Sequence, residues 1–305
     1  MKKTQTAGPL SKLSMAGLLI SLGIVYGDLG TSPLYTLRAI LNGATTIDRD
    51  FVLGALSCIF WTLTLQTTFK YVFITLRADN KGEGGIMALF ALLKKRKDWI
   101  FIVAIVGGCA LLADGIITPA ITVTSAIEGL RILKPDIPVV TVVFIILSVL
   151  FFIQQFGTAF LGKSFGPVML FWFSMIGVLG LVQLVRVPDV LLAVNPYYAI
   201  KLLTAYPSGF LLLGAVFLCT TGAEALYSDL GHCGLRNIRM SWIFVKTALL
   251  LNYFGQGAWI IGHAGEITSR VNPFYAIMPV WFLVPGIIVA TAAAIIASQA
   301  LISGS

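Results

Sequence analysis

The sequence has few charged residues: Asp, Glu, Lys and Arg together make up 11% of its 305 residues. A soluble domain of this length needs a solvated surface, so this scarcity excludes an ordinary soluble protein. Hydrophobic residues make up 58% of the chain, and the mean hydropathy is +0.93. Several apolar runs are long enough to cross about 30 Å of hydrocarbon, and they do not alternate as barrel strands would. The chain is therefore predicted to be an all-α polytopic membrane protein embedded in a lipid bilayer.

The chain also lacks the residue sets of enzymes and of protein metal centres. It contains only two histidines and four cysteines, and the cysteines show no metal-ligand spacing. No Ser/His/Asp arrangement, metal-binding helix or phosphate-cradling loop of recognised form is present. We therefore predict that the protein is not an enzyme and uses no cofactor.

The hydrophobic pattern predicts eight membrane-spanning segments. They cover about 14–42, 51–76, 99–129, 138–155, 166–187, 209–231, 240–262 and 274–304. No cleavage site of small residues follows the first apolar segment, so that segment is a span rather than a signal peptide. With a cytoplasmic N-terminus, the inner loops carry 12 Lys and Arg residues against 7 in the outer loops. This bias places both ends of the eight-span chain on the cytoplasmic side of the cell membrane. The net charge of +8 then reflects topology and gives no support for nucleic acid binding.

Two of the predicted spans contain residues that interrupt a helix. The first carries GDLGTSP from Gly27 to Pro33, where Thr31 or Ser32 is expected to cap a new half-helix that has Pro33 in its first turn. The sixth carries TTGAE at a similar depth, ending at Glu224. Broken helices at corresponding positions of two halves are typical of inverted-repeat transporters. We therefore predict a five-plus-five inverted-repeat fold.

This fold requires ten spans, and the sequence contains eight. The first repeat would cover about 14–187 and an incomplete second repeat about 209–305, within a single transmembrane domain at 1–305. We therefore expect the sequence to be truncated before its last spans.

Three carboxyl groups are predicted at mid-membrane, where an ionised side chain costs about 2.5–3.5 kcal/mol: Asp28, Asp114 and Glu224. Asp28 lies in the first break, and Tyr35 lies close beyond it. Carboxylate, hydroxyl and freed carbonyl oxygens suit a hard cation such as Na⁺ or K⁺. The alternative is that Asp28 only caps backbone amides freed by the break.

Asp114 begins a row of oxygens along one helix face. Thr118 and Thr122 follow it at i+4 and i+8, and Pro119 releases the carbonyl of Gly115. The alternative for Thr122 is a hydrogen bond to its own helix.

Glu224 is a candidate for proton coupling, because a carboxyl group in apolar surroundings can exchange protons near neutral pH. Asp114 competes for this role, and a structural Glu at a broken helix end is the alternative. Thr221 shares a face with Glu224 if the helix continues through Gly222.

Polar residues nearer the span ends have simpler interpretations. Asp229 and His232 lie close to the cytoplasmic mouth of the sixth span, where they either line an exit path or form a solvated helix end. Glu128 lies at the outer end of the third span and is expected to be wet.

The longest cytoplasmic connection runs from Arg77 to Asp98. It contains KGEGG at 81–85, an apolar stretch at 86–93 and four basic residues at 94–97. This pattern indicates either a short helix in the membrane interface or an early start of the third span.

These segments resemble the KUP/HAK/KT family of potassium transporters. The matching stretches are GDLGTSPLYT from Gly27, KGEGG from Lys81, ADGIITPAI from Ala113, SAIEG from Ser125, EALYSDLGH from Glu224 and SQALISG from Ser298. The resemblance covers almost the whole chain, and the first stretch is highly specific.

The resemblance implies uptake of K⁺, with Rb⁺ accepted as a surrogate, by H⁺/K⁺ symport through alternating access. It also implies about twelve spans, a C-terminal cytoplasmic domain and, since dimers occur among related proteins, a homodimer. The potassium-binding residues that it implies are Asp28, Tyr35, Asp114, Thr118, Thr122 and Thr221, with K⁺ held at Asp28 and Asp114. The proton-coupling residues that it implies are Glu224 and Asp114.

Two other functions stay open at this point. A cationic amine or amino-acid transporter would use the same scaffold, although Asp28 would repel a substrate carboxylate bound at the first break. A K⁺ channel would need a ring of carbonyls from repeated short loops, which the sequence does not contain.

Overall fold

The all-α prediction is confirmed by the computed structural model of the chain. The structure describes residues 13–44, 46–93, 99–154, 159–207, 209–263 and 271–304. Most of these residues are helical, and within these ranges the only β-type pairing is a single bridge between Asn80 and Glu83.

The chain forms long helices separated by short helical pieces. Helices α1 to α8 occupy Met15–Ile24, Gly27–Thr31, Thr36–Asn42, Arg49–Thr62, Ile86–Leu93, Trp99–Glu128, Val139–Gln154 and Ala159–Arg186. Helices α9 to α15 occupy Pro196–Ala205, Gly209–Phe217, Ala225–Ser228, Leu230–Cys233, Leu235–Gly262, Pro273–Ala276 and Leu283–Gly304. Helix α4 continues directly as a π-helix over Leu63–Ile74.

Five helical stretches are long and apolar enough to cross a membrane. They are Arg49–Arg77, Trp99–Ile132, Ser164–Arg186, Gly209–Ser228 and Val280–Ile302. A sixth span results if α1 and Gly27–Leu34, which are bent by 66° at their junction, count as one broken span.

The two remaining predicted spans correspond to α7 and α13. Helix α7 has 16 residues, and α13 has 28 residues but carries Arg236, Arg239 and Lys246. The count of eight spans and the five-plus-five repeat therefore remain predictions.

The apolar stretch after the KGEGG sequence forms the separate helix α5. The basic residues 94–97, which were predicted to form its end at the membrane surface, lie outside the described residues.

Glycines let α8 pack tightly against α13 and α1. A Cβ atom on Gly180 would overlap the backbone carbonyl of Leu251, and one on Gly255 would overlap Gly180 itself. A Cβ atom on Gly23 would lie 2.6 Å from the Cβ of Phe165. Small residues at helix crossings bring backbones together in this way in membrane proteins. The result is a scaffold that holds the broken first span from one side.

Side chains of this scaffold bind backbone carbonyls in and after the first break. Trp172 donates to the carbonyl of Gly30 at 3.0 Å, and Gln256 donates to the carbonyl of Pro33 at 3.0 Å. Non-helical backbone at membrane depth persists only where such partners replace the missing helical hydrogen bonds. The break is therefore supported by distant parts of the chain.

The predicted capping of the second half-helix is wrong in its details. Helix α3 begins at Thr36, and no side chain caps its first turn. The hydroxyl of Thr31 donates to the carbonyl of Asp28 at 2.8 Å, and Ser32 is bonded to other hydroxyls. Pro33 lies in a short 3₁₀ turn before α3, so the chain needs a longer connection than a single capping residue.

Hydrogen bonds to Asp48 connect the start of α4 with the segment after α9. Its carboxylate accepts hydrogen bonds from the Phe51 amide at 2.7 Å and from the Tyr206 hydroxyl at 2.6 Å. Burial by itself would raise the pKa of Asp48, but these hydrogen bonds and the charge of Lys201 lower it overall.

Replacing Asp48 with Ala is expected to lower the free energy of unfolding by about 1 kcal/mol at pH 7, as for other N-cap residues. Because folding lowers the pKa of Asp48, this contribution is complete above about pH 4 and is lost as the pH falls through the folded-state value. Thermal unfolding in detergent at pH 7 and at pH 3 measures both effects. The control is Asp189→Ala, which removes an exposed ion pair with Arg49. An Asp48→Ala penalty of equal size at both pH values would contradict the prediction.

Candidate functional site

Asp28, Asp114 and Glu224 meet where the two broken spans face each other. One carboxylate oxygen from each residue lies within 4.8 Å of the other two. Among the described residues, neither oxygen of Asp28 has a hydrogen-bond partner, and Oδ2 of Asp114 also has none. Asp28 is buried, and Asp114 and Glu224 are half-buried. Three carboxylates this close repel one another unless cations or protons compensate their charge. The unpartnered oxygens of Asp28 give no support to its interpretation as a cap.

The sixth span breaks at Gly222 and places this break directly against the first. Thr221 is extended, Gly222 has a φ of +81°, and α11 begins only at Ala225. A Cβ atom on Gly222 would lie 2.8 Å from Cβ of Asp28 and 2.8 Å from the amide nitrogen of Leu29. The continuous helix that would give Thr221 and Glu224 a common face is not formed.

Three hydroxyl groups connect the two breaks. The Tyr35 hydroxyl lies 2.9 Å from Oγ1 of Thr221, and Oγ of Ser32 lies 3.1 Å from Thr221 and 3.3 Å from Tyr35. Ser32 was not among the predicted site residues. The feature of the sequence that could have identified Ser32 as a site residue is its position in the first break, three residues before Tyr35. The group supplies three oxygens that can turn toward a cation.

Helix α6 contributes the predicted row of oxygens. Thr118 donates from Oγ1 to Oδ1 of Asp114 at 2.6 Å. Thr122 is 1% exposed, and its hydroxyl has no hydrogen-bond partner among the described residues. The alternative of a hydrogen bond from Thr122 to its own helix is therefore not adopted. Pro119 lies inside α6, next to Thr118.

The seven predicted site residues thus lie in adjoining groups around the two breaks. Thr221 belongs to the hydroxyl group, and it also lines a cavity of about 360 Å³ together with Asp114 and Glu224. The roles assigned to these residues in binding and proton coupling remain predictions.

A smaller cavity lies on the predicted cytoplasmic side of the carboxylates. Its volume is about 20 Å³, and its lining includes Asp28, Glu224, Ser228 and Asp229. The side chain of Asp229 is only 17% exposed, whereas that of His232, 3.8 Å away, is 76% exposed. Asp229 therefore faces the cavity, as the exit-path alternative requires, and only His232 resembles a solvated helix end.

An ion pair lies on the predicted outer side of the site. Arg38 of α3 pairs with Glu128 at the end of α6, and their side chains are 26% and 18% exposed. Both residues line a cavity of about 810 Å³ together with Arg131. Glu128 is therefore paired with Arg38 and half-buried at this cavity, and its predicted contact with water stays a prediction. This ion pair could not be predicted from the sequence, because Arg38 and Glu128 are 90 residues apart in the chain.

The chain matches known proteins over nearly its whole length. The family model of the K⁺ potassium transporter integral membrane domain matches residues 15–305. A "probable potassium transport system protein Kup" of Flavobacterium johnsoniae is 62% identical over 304 residues, which cover 97% of this chain and 46% of the relative. The protein of the same description from Cytophaga hutchinsonii is 63% identical over 299 residues, covering 96% of this chain and 45% of the relative.

A third relative with that description, from Clostridium perfringens, is 54% identical over 314 residues, covering 97% of this chain and 48% of the relative. No solved structure matches the chain with significant similarity. The chain spans about half the length of the curated relatives that it matches. The extent of the family match confirms the predicted resemblance. The chain belongs to the K⁺ potassium transporter family, as part of its integral membrane domain.

Proposed function

We propose that the complete protein containing this chain takes up K⁺ across the cell membrane. The observation that carries the proposal is the close group of one buried and two half-buried carboxylates at Asp28, Asp114 and Glu224. This group lies beside hydroxyl groups, and oxygens of Asp28 and Asp114 have no hydrogen-bond partner among the described residues. Oxygen ligands suit a hard monovalent cation, and the negative charge offsets the cost of removing that cation from water. The names of the relatives support K⁺ as the cargo.

In this proposal, K⁺ is held mainly by the carboxylates of Asp28 and Asp114. The hydroxyls of Tyr35 and Thr221 approach it from the two breaks, and those of Thr118 and Thr122 approach from α6. Because these groups come from the first break, the second break and α6, bound K⁺ would draw these three elements together.

The charge of the cluster also supports proton coupling. Three ionised carboxylates carry three negative charges, and one K⁺ compensates only one of them. The remaining charges at a buried site favour proton uptake by one or more carboxyl groups. We assign the proton to Glu224, with Asp114 as the competing residue, because Glu224 shares the cavity beside α11 with Asp229, which lies near the predicted cytoplasmic mouth. The expected reaction is H⁺/K⁺ symport.

Alternating access would use the two breaks as hinges within the proposed five-plus-five fold. Half-helices joined by extended residues and glycine can pivot against the α8–α13 scaffold. In this scheme the Arg38–Glu128 pair holds the outer side closed. The proposed arrangement has a cytoplasmic N-terminus, and a homodimer remains part of the expectation.

The test is uptake of Rb⁺ by the complete protein, expressed in cells that lack their own K⁺ uptake. We expect uptake that K⁺ competes with, that cationic amines do not affect, and that falls when the proton gradient is dissipated. An expressed protein without Rb⁺ uptake would overturn the proposal. Competition by amines would favour an amine transporter, and uptake independent of the proton gradient would favour a channel.

Glu224→Gln is expected to remove the dependence of Rb⁺ uptake on external pH and to slow proton-driven uptake at least about tenfold, since Gln cannot exchange a proton. Uptake measured between pH 5.5 and 8 tests this, with Asp114→Asn as the comparison. If Glu224→Gln keeps the native pH profile and Asp114→Asn loses it, the proton belongs to Asp114.

A further inference from the structure

The loop that follows the second span forms a rigid turn. In the segment Ala78–Ile86, here called the strap, Asn80 and Glu83 exchange two backbone hydrogen bonds of 2.9 and 3.1 Å. The two residues between them have positive φ angles, 58° at Lys81 and 92° at Gly82. A lysine in this conformation is strained and persists only where its surroundings hold it. Asp79 helps to hold the turn by accepting a hydrogen bond from the Gly82 amide at 2.9 Å.

The strap is docked on the inner half of the broken sixth span. The hydroxyl of Tyr227 in α11 donates to the carbonyl of Ala78. A Cβ atom on Gly84 would overlap the carbonyl oxygen of Tyr227, so the two backbones are in direct contact. The carboxylate of Glu83 covers Gly231 of α12. A Cβ atom added to Gly231 would lie 2.7 Å from the carboxyl carbon of Glu83.

Helix α11 therefore has the strap on one side and the small cavity on the other. Ser228 lies beside Gly85 of the strap: a Cβ atom added to Gly85 would lie 3.7 Å from Cα of Ser228. Ser228 also lines the cavity, together with Asp28 and Glu224. The cavity volume of about 20 Å³ is close to that of one water-sized sphere. Helix α11 forms one wall of this cavity, and the strap lies against α11.

We propose that the strap is the latch of the inner gate: it holds α11 against the cavity, and the strap must leave α11 for a cation to pass from the carboxylates to the cytoplasm. The inference deepens the proposed transport function and rests on it. The strap ends at Ile86, which lines the 360 Å³ cavity with Asp114 and Glu224, so movement of the strap also reaches the other side of the site.

The first test measures opening of the cavity without measuring transport. Ala300→Cys, on the far wall of the cavity and in α15, serves as the reporter in the complete protein with its native cysteines replaced. Inside-out vesicles are treated with a membrane-impermeant maleimide. Tyr227→Phe is expected to raise the rate of modification about fivefold, the effect of losing one hydrogen bond that stabilises the closed state. Gly84→Ala is expected to raise it further.

Two matched substitutions control for general loosening of the fold. Tyr197→Phe removes an exposed hydroxyl, and Gly108→Ala adds a methyl group that would lie 3.9 Å from its nearest neighbour, Met87. Both are expected to leave the rate unchanged. If neither Tyr227→Phe nor Gly84→Ala raises the rate above these controls, the latch is overturned.

The second test locks the strap in place. Glu83→Cys and Gly231→Cys are combined in the complete protein, because the Glu83 side chain lies against Gly231. Oxidation to a disulfide is expected to stop Rb⁺ uptake, and a reductant is expected to restore it, while each single substitution responds to neither treatment. Native-rate uptake by the cross-linked protein would overturn the latch. Absence of Rb⁺ uptake by the native protein would instead overturn the proposed function. In that case the maleimide test alone would decide whether the strap is the latch.

Discussion

Asp28→Asn is expected to reduce Rb⁺ uptake by the complete protein at least about 100-fold at normal expression. The substitution keeps the shape of the side chain and removes the charge that the proposed cation site uses. Removing one partner of a buried charge interaction costs about 2–5 kcal/mol, and each 1.4 kcal/mol is a factor of ten.

The same substitution is not expected to destabilise the protein. In the structure, Asp28 is buried within 4.8 Å of two other carboxylates and accepts no hydrogen bond from the described residues, so Asn relieves repulsion. Thermal unfolding should therefore show an unchanged or higher midpoint. Asp189→Asn is the matched control, since its exposed pair with Arg49 contributes little. Uptake at the native rate by Asp28→Asn would assign Asp28 a structural role and move the cation toward Asp114 and Glu224.

Gly222→Ala is expected to abolish Rb⁺ uptake. The added methyl group would lie 2.8 Å from Cβ and Oδ2 of Asp28, and the φ of +81° is one that alanine rarely adopts. To relieve both problems, the two breaks must separate, and this moves Asp28 away from Thr221 and Glu224. We expect uptake to fall below about 1% of the native rate, because a misplacement of about 1 Å at such a site costs on the order of 100-fold.

Gly214→Ala is the matched control for this change. Gly214 lies in α10, in the same span, and an added Cβ would meet nothing within 4 Å. Since alanine also favours a helix over glycine, this variant should fold and transport normally. Equal uptake by Gly222→Ala and Gly214→Ala would show that close contact between the two breaks is not needed.

Features that depend on neighbouring residues could be predicted from the sequence. The helical class and six of the spans follow from apolar length, because a backbone in hydrocarbon must satisfy its own hydrogen bonds. The positions of both breaks follow from Gly27, Gly222 and Pro33, whose backbone preferences act locally. The row from Asp114 to Thr122 follows from helical periodicity alone, since α6 runs without interruption through it.

Features that depend on distant residues were decided only by the tertiary structure. The prediction that Thr31 or Ser32 caps a half-helix was wrong, because the Thr31 hydroxyl donates to the carbonyl of Asp28 and the Ser32 hydroxyl is bonded to Tyr35 and to the distant Thr221. The ion pair of Glu128 could not be predicted from the sequence, because Arg38 reaches it from another helix.

The contact between the two breaks also separates what neighbouring residues determine from what distant residues determine. The sequence by itself determined that the first and sixth spans are interrupted and that both carry acidic side chains. It did not determine that Gly222 lies against Asp28, or that the strap lies on α11. Those contacts join residues far apart in the chain, and they form only where several helices pack at once, so no local pattern encodes them.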